Sequence, residues 1–225
     1  MQRAFDILFA SAALLVLSPV LIPVMIVLRL TGEGEVFYCQ QRVGRGGKMF
    51  GVWKFATMLK NSPSLGTGTV TLKDDPRVLP FGRFLRKSKI NELPQLFNIL
   101  NGTMSIIGPR PQTVRCFEAF PVKSQEAIKQ VRPGLSGIGS IVFRDEEELM
   151  HADADPNGLY DNVIMPFKGE LEEWYTQKQS LVAYFKLIIL TAWVVVSPRL
   201  QIVWRVFPDL PYPSPRLAAM LKLTA

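Results

Sequence analysis

Residues Ile7 to Leu28 read ILFASAALLVLSPVLIPVMIVL, 22 consecutive residues without a charge. As a continuous helix rising about 1.5 Å per residue, the run extends about 33 Å, enough to cross a hydrocarbon core about 30 Å thick. Its interior argues against a plain span. Ser18-Pro19 falls near the centre and Pro23 follows about one turn later, so backbone hydrogen bonds are lost where lipid offers no replacement. A break there, with Ser18 satisfying a freed group, gives two short arms that enter and leave by the same face. Arg3 precedes the run and Arg29 follows it, so neither end is marked as translocated. The expectation for residues 1–31 is therefore a re-entrant, monotopic helix-break-helix hairpin. A kinked span is the competing arrangement. A cleaved signal peptide fits less well, because no small-x-small site precedes Arg29-Leu30-Thr31-Gly32.

Outward from this run the composition changes. The 225 residues carry 26 Lys and Arg against 19 Asp and Glu, a net charge of +7, yet 48% are hydrophobic and the mean hydropathy is +0.17. High charge with high hydrophobicity excludes intrinsic disorder, whose signature pairs charge with low hydrophobicity. A nucleic-acid binder would explain the charge but not the apolar run, and no aromatics interleave the cations from Arg42 to Lys48, so no nucleic-acid partner is expected. A polybasic membrane adaptor is the other class that the charge allows. Cys39 and Cys116 lack CxxC spacing and His151 is the sole histidine, which excludes a disulfide framework or a Cys/His zinc site. A Ser-His-Asp or Cys-His hydrolase would have only His151 to draw on, so acid-base chemistry falls to carboxylates.

Residues 32–197 read as a small, mostly helical α+β domain. Val36 to Gln40 and Met49 to Phe55 suggest a β-hairpin around the basic glycine turn Gln41 to Lys48, a tip that either approaches a phosphate or is simply solvated. Asn61 to Thr71 is polar and read as a loop. Within the basic stretch Lys73 to Lys89, Phe81, Phe84 and Leu85 lie at helical spacing among Arg83, Arg86 and Lys87, which fits an amphipathic helix on an anionic lipid surface, a solvated helix face being the competing reading. Further on, the pattern predicts a helix over Gln112 to Val131, a turn at Arg132-Pro133-Gly134 and a strand over Ile138 to Phe143. The acids Asp145 to Glu148, with Asp153, Asp155 and Asp161, read as a solvated helix start that an oxygen-ligand magnesium site could borrow. Leu181 to Val196 is short for a span and suits a core or interfacial helix. Residues 198–225 form a Pro-rich tail, expected to be extended and to end in an amphipathic piece around Leu217 to Leu223.

Two short segments carry the chemistry. Asn91 is expected to cap a helix, with Glu92 in its first turn, where the macrodipole favours an anion, and Pro94 where no donor is needed. Leu96, Phe97, Ile99 and Leu100 supply apolar contacts, and Asn101-Gly102 stops the helix. Gly108-Pro109-Arg110-Pro111 holds one guanidinium on a backbone stiffened from both sides, an arrangement suited to bidentate phosphate recognition, with a purely structural turn as the competing reading.

These segments, taken in order, resemble the bacterial sugar transferases, the monotopic polyprenyl-phosphate phosphoglycosyl transferases. The landmarks are Arg3-Ala4-Phe5-Asp6 before the run broken at Ser18-Pro19, then Gln41-Arg42-Val43-Gly44, Lys54-Phe55-Ala56-Thr57-Met58 and Asp75-Pro76-Arg77-Val78. After them come Gly82-Arg83-Phe84-Leu85-Arg86-Lys87, Asn91-Glu92-Leu93-Pro94-Gln95-Leu96, Gly108-Pro109-Arg110-Pro111 and Arg132-Pro133-Gly134-Leu135-Ser136-Gly137. The resemblance spans about Met1 to Val196. It implies transfer of a sugar 1-phosphate from a nucleoside diphosphate sugar, UDP being the expected carrier, to undecaprenyl phosphate or a similar polyprenyl phosphate. It further implies magnesium (Mg2+), lipid contact, and a catalytic domain on the cytoplasmic face of the bacterial inner membrane. A homodimer is an arrangement the sequence allows.

The resemblance also implies an Asp-Glu dyad at a helix start, the aspartate attacking phosphorus. Here the dyad reads Asn91-Glu92, and Ala56 stands where the family often has arginine. An amide cannot serve as the carboxylate nucleophile. Three readings stay open: Glu92 attacks; the polyprenyl phosphate attacks directly while Glu92 orients magnesium; or the chain is a degenerate scaffold. The roles implied are Glu92 as nucleophile or metal ligand and Asn91 as helix cap and phosphate donor. Lys54 and Arg110 hold phosphate oxygens, Arg42, Arg83 and Arg86 build the anion-binding surface, and Ser18 and Pro19 form the membrane break.

Overall fold

The computed structural model describes residues 1–64, 75–151, 154–197 and 199–223; the expected loop Asn61 to Thr71 lies largely outside them, as do Lys73, Asp74, Asp153 and Pro198. The apolar run forms one helix, α1 (Gln2–Leu30), with Pro19 and Pro23 inside it. The expected helix-break-helix is therefore not an interruption of the helix, and the reason is local. Pro19 has no N–H for the Leu15 carbonyl four residues earlier, and the Ser18 hydroxyl donates to that carbonyl at 2.7 Å instead. The helix is long and apolar enough to cross a membrane, and only 17% of its apolar window is buried within the protein. Leu15, Val16, Ile22 and Ile26 are among the exposed side chains.

After α1 come the hairpin strands β1 (Phe37–Val43) and β2 (Met49–Phe55), α2 (Pro80–Lys87), a 3-10 turn at Ile90–Glu92, α3 (Gln95–Asn101), β3 (Ser105–Ile107), α4 (Val114–Glu118), α5 (Val122–Lys129) and β4 (Gly134–Ser136). The chain continues through α6 (Ile138–Val142), α7 (Glu146–His151), α8 (Pro156–Leu159), a π-helical stretch at Tyr160–Ile164, α9 (Met165–Gln177), α10 (Leu181–Val196), α11 (Gln201–Val206) and α12 (Pro215–Met220). The class is α+β. Two compact units interleave along the chain: one comprises Phe5–Gln41 and Gly51–Gly102, the other Met1–Ala4, Arg42–Phe50 and Thr103–Ala225.

In the first unit, Leu21, Val24 and Leu28 of α1 pack with Phe55 and Leu85, with Phe81, Ile90 and Leu93 around them. The helix α2 lies so close to the preceding segment that a Cβ at Gly82 would overlap the Thr57 carbonyl, which explains a glycine inside an otherwise helix-forming run. Asp75 and Arg77 form a buried bidentate pair, with Arg77 Nη2 2.6 Å from Asp75 Oδ2, and Arg77 Nη1 also donates to the Ser62 carbonyl at 2.7 Å.

In the second unit β3 and β4 pair in parallel, Ser105 opposite Gly134 and Ile107 opposite Ser136. The two Gly-Pro motifs meet there backbone to backbone. Gly134 N–H donates to the Pro109 carbonyl at 2.8 Å and Gly108 N–H to the Ser136 carbonyl at 2.9 Å, and a Cβ at Gly134 would overlap the Gly108 backbone. Gly134→Ala is accordingly expected to cost about 2 kcal/mol of stability, since backbone rather than a flexible side chain must move; a urea unfolding midpoint unchanged from wild type would contradict this.

Three sequence expectations change in this unit. The helix foreseen over Gln112 to Val131 divides into α4 and α5, because Pro121 lacks an N–H and disfavours helical geometry at Phe120. The strand foreseen over Ile138 to Phe143 is helical. Ile138, Ile141 and Val142 are buried, and their spacing of three and four is a helical face that a β-branched run disguises. The tail is folded rather than extended before its final piece: α11 forms, and the Phe207 ring meets Trp174 edge-on at 4.9 Å. Trp204 Nε1 donates to the Pro211 carbonyl at 3.0 Å.

Candidate functional site

The segment around Glu92 is built from β2, the 3-10 turn and α3. Lys89 enters the turn in the left-handed conformation at φ 59°. Pro94 cannot donate to the Ile90 carbonyl, and Leu93 N–H takes that carbonyl at 3.1 Å, tightening the turn from α to 3-10. Asn91 therefore sits inside a turn and caps no helix, and α3 begins at Gln95 with Pro94 at its cap. This corrects the expected capping role. Asn91 is buried and its Oδ1 has no hydrogen-bond partner, so packing, not capping, holds it. Glu92 is partly buried, and its Oε1 lies 3.7 Å from the Lys54 Nζ of β2, the two side chains 19% and 20% exposed.

The strand carrying Lys54 is tied to α3 by Asn98, which is buried. Its Oδ1 accepts from Trp53 N–H at 2.9 Å and its Nδ2 donates to the Gly51 carbonyl at 2.7 Å. Reading Leu96, Phe97, Ile99 and Leu100 as the contact face passed over this residue, and Phe97 is in fact 48% exposed. A polar side chain between two apolar ones on a helix's inner face was the available signal.

On α2, Arg86 Nη1 donates to Thr57 Oγ1 at 3.4 Å and Arg83 is exposed. Phe84 projects beside them at 57% exposure, the arrangement expected of a basic interfacial helix. Ser18 and Pro19 belong to the same unit, on α1. Arg42 and Arg110 belong to the other unit. Within it they flank a backbone bond from Val43 N–H to the Gln112 carbonyl at 2.9 Å. That bond and the one accepted by Pro109 pin the loop of Arg110 on both sides. The hairpin tip packs on α5: Arg45 Nε donates to the Gln130 carbonyl at 3.1 Å, a cation on a helix C-terminus.

Glu146 is paired with the buried Lys168 at 2.6 Å. No cluster of three or more His, Cys, Asp or Glu side chains able to hold a metal occurs among the described residues. On α9 the fully buried Glu172 is pushed up to about 7 by desolvation, against which the Lys168 charge and the Gly139 backbone act. A carboxyl raised in the folded state keeps its stabilisation below its ordinary value of 4.5 and loses it as pH rises to about 7. The expected loss over that window is roughly 3 kcal/mol. Glu172→Gln should flatten the pH-stability curve and exceed wild type above pH 7; parallel curves for the two proteins would contradict this.

Comparison with known proteins agrees with this assembly of motifs. A family model described as bacterial sugar transferase matches residues 1–198. An exopolysaccharide production protein, ExoY, of Sinorhizobium fredii is 36% identical over 159 residues, 64% of this chain and 70% of that protein. The UDP-glucose:undecaprenyl-phosphate glucose-1-phosphate transferase of Escherichia coli is 38% identical over 145 residues, 63% of this chain but 31% of its own length. An undecaprenyl-phosphate galactose phosphotransferase of Salmonella typhimurium is 31% identical over 210 residues, 87% of this chain and 40% of that protein. Against the latter two, the chain spans well under half of the relative.

Proposed function

The chain belongs to the bacterial sugar transferases, and on that premise we propose that it transfers a sugar 1-phosphate from a nucleoside diphosphate sugar, with UDP as carrier, to undecaprenyl phosphate or a similar polyprenyl phosphate. The products are a polyprenyl-diphosphate-sugar and a nucleoside monophosphate, the opening membrane step of glycan assembly. The observation that carries this is the Glu92 carboxylate 3.7 Å from the Lys54 ammonium: an oxygen nucleophile beside a cation that can hold phosphate oxygens. Relatives that act on undecaprenyl phosphate by name support the acceptor.

In this reading a Glu92 oxygen attacks the sugar-proximal phosphorus. The bond from that phosphorus to the bridging oxygen breaks, the nucleoside monophosphate leaves with the electron pair, and a phosphosugar remains on Glu92. An oxygen of the polyprenyl phosphate then attacks the same phosphorus, and the carboxylate is regenerated. Lys54 holds a phosphate oxygen through both steps. Arg83 and Arg86 supply positive charge at headgroup level, and Arg42 and Arg110 are phosphate-binding cations in their own unit. Magnesium fits Glu92 as an ion shared with substrate rather than caged by protein, because it commonly takes one or two carboxylates together with substrate phosphates. Bound there, it would neutralise the diphosphate and the leaving group.

The proposed location is the bacterial inner membrane, with α1 re-entrant and the catalytic domain on the cytoplasmic face. What supports a re-entrant α1 lies within one unit: Leu21, Val24 and Leu28 in its second half pack with Phe55 and Leu85, as expected of an arm that stays beside its domain.

The test is release of nucleoside monophosphate from a panel of nucleotide sugars, with polyprenyl phosphate and magnesium. Release with at least one donor is expected. Binding of donor without release from any of them would favour the scaffold reading, which the amide at Asn91 motivates. Trapping a radiolabelled phosphosugar on the protein separates attack by Glu92 from direct attack by the acceptor.

A further inference from the structure

We propose that Asn98 is a positioning residue that sets the Lys54 ammonium against the Glu92 carboxylate by acting as a side-chain strand partner for β2. The catalytic consequence builds on the transferase reading above, but the positioning itself does not.

Gly51 and Trp53 are two apart in β2, so the carbonyl of one and the N–H of the other point from the same strand edge. In a sheet those groups would be met by the peptide of a neighbouring strand, but among the described residues β2 pairs only with β1. Asn98 meets both instead, accepting from Trp53 N–H at 2.9 Å and donating to the Gly51 carbonyl at 2.7 Å. A primary amide carries one acceptor and one donor side by side, as a peptide does. Aspartate could keep the first bond but would turn an acceptor toward the Gly51 carbonyl. Alanine would leave two part-buried backbone groups without these partners, which costs stability.

The clamp stands at the position that matters. Lys54 follows Trp53 directly, and Asn98 is on the helix that continues from the Glu92 turn. The element bearing the cation and the element bearing the carboxylate are thus joined through one side chain that bonds the strand backbone. The pair it aligns is long at 3.7 Å, so a strand shift of a few tenths of an ångström separates the charges. Misplacement of about 1 Å in a reacting constellation costs on the order of 100-fold in rate.

Two readouts test this. In the full-length protein, trace acetylation with acetic anhydride, quantified by mass spectrometry, reports the reactivity of the Lys54 amine without any turnover. Asn98→Ala is expected to raise Lys54 labelling several-fold, to the level seen in Glu92→Gln, while surface lysines such as Lys123 are unchanged. In the transferase assay, Asn98→Ala should lower kcat about tenfold. Combined with Lys54→Met it should lose no more than Lys54→Met alone, because the two act through one contact. Unchanged Lys54 labelling with a lowered melting temperature would make Asn98 merely structural, as would losses that multiply in the double variant. If Asn98→Ala does not fold, Asn98→Gln retains both amide groups on a longer arm; it should fold with elevated Lys54 labelling, and wild-type labelling there would equally overturn the proposal. Should the wild type release no monophosphate from any donor, the labelling result still decides the positioning role.

Discussion

Glu92→Gln is expected to lower release of nucleoside monophosphate by on the order of 10^4-fold while leaving the fold intact. The substitution keeps volume and hydrogen-bonding reach but removes the negative charge, and a neutral amide oxygen does not form a phosphosugar ester. The stability effect is small because the carboxylate is partly in water and its partner Lys54 lies at 3.7 Å; such a pair contributes about 1 kcal/mol or less. Turnover and melting temperature therefore separate cleanly. Retention of more than about a tenth of wild-type turnover would remove Glu92 from the nucleophile role. Asn91 cannot take its place, since its amide carries no charge and it is buried with its oxygen unpartnered.

Lys54→Met is the second large effect, expected at roughly 10^2- to 10^3-fold in kcat/KM, the range for deleting one group that stabilises developing charge. Methionine preserves the length and most of the apolar stem, so β2 should keep its packing and the loss reports the ammonium. Lys54→Arg should recover part of the activity, because the charge returns on a planar fork that suits a different phosphate geometry. Donor titrations at two salt concentrations check the assignment. The wild type should bind the diphosphate more weakly at high salt and Lys54→Met should show a shallower dependence; equal slopes would place Lys54 outside the anion-binding surface.

Much of this architecture is legible in the chain because it depends on local rules. A charge-free run of 22 residues must become an apolar helix, and α1 does so. The hairpin around a basic glycine turn forms where the glycines allow it, and Phe84 is left exposed among cations on α2. The failures share a different cause. Ser18 repairs the bond that Pro19 removes, so a proline reads as a break in sequence yet lies within a helix in the structure. Ile138 to Phe143 has the residue types of a strand and the spacing of a helix, and burial settles the choice. Asn91 has the chemistry of a cap, but Pro94 tightens the backbone around it into a turn that offers nothing to cap.

By itself the sequence determined the long apolar helix, the basic surface, the order of the motifs and the absence of a carboxylate at Asn91. These follow from composition, periodicity and side-chain chemistry, which act within a few residues. Only the tertiary structure decided that Lys54 lies beside Glu92, that Asn98 bonds the strand next to Lys54, that Glu172 is fully buried with its carboxyl pushed up to about 7, and that the Pro-rich tail folds. Each of these depends on groups distant in the chain being brought within a few ångströms, where direct contact and exclusion of water set the energies. No local pattern encodes that proximity.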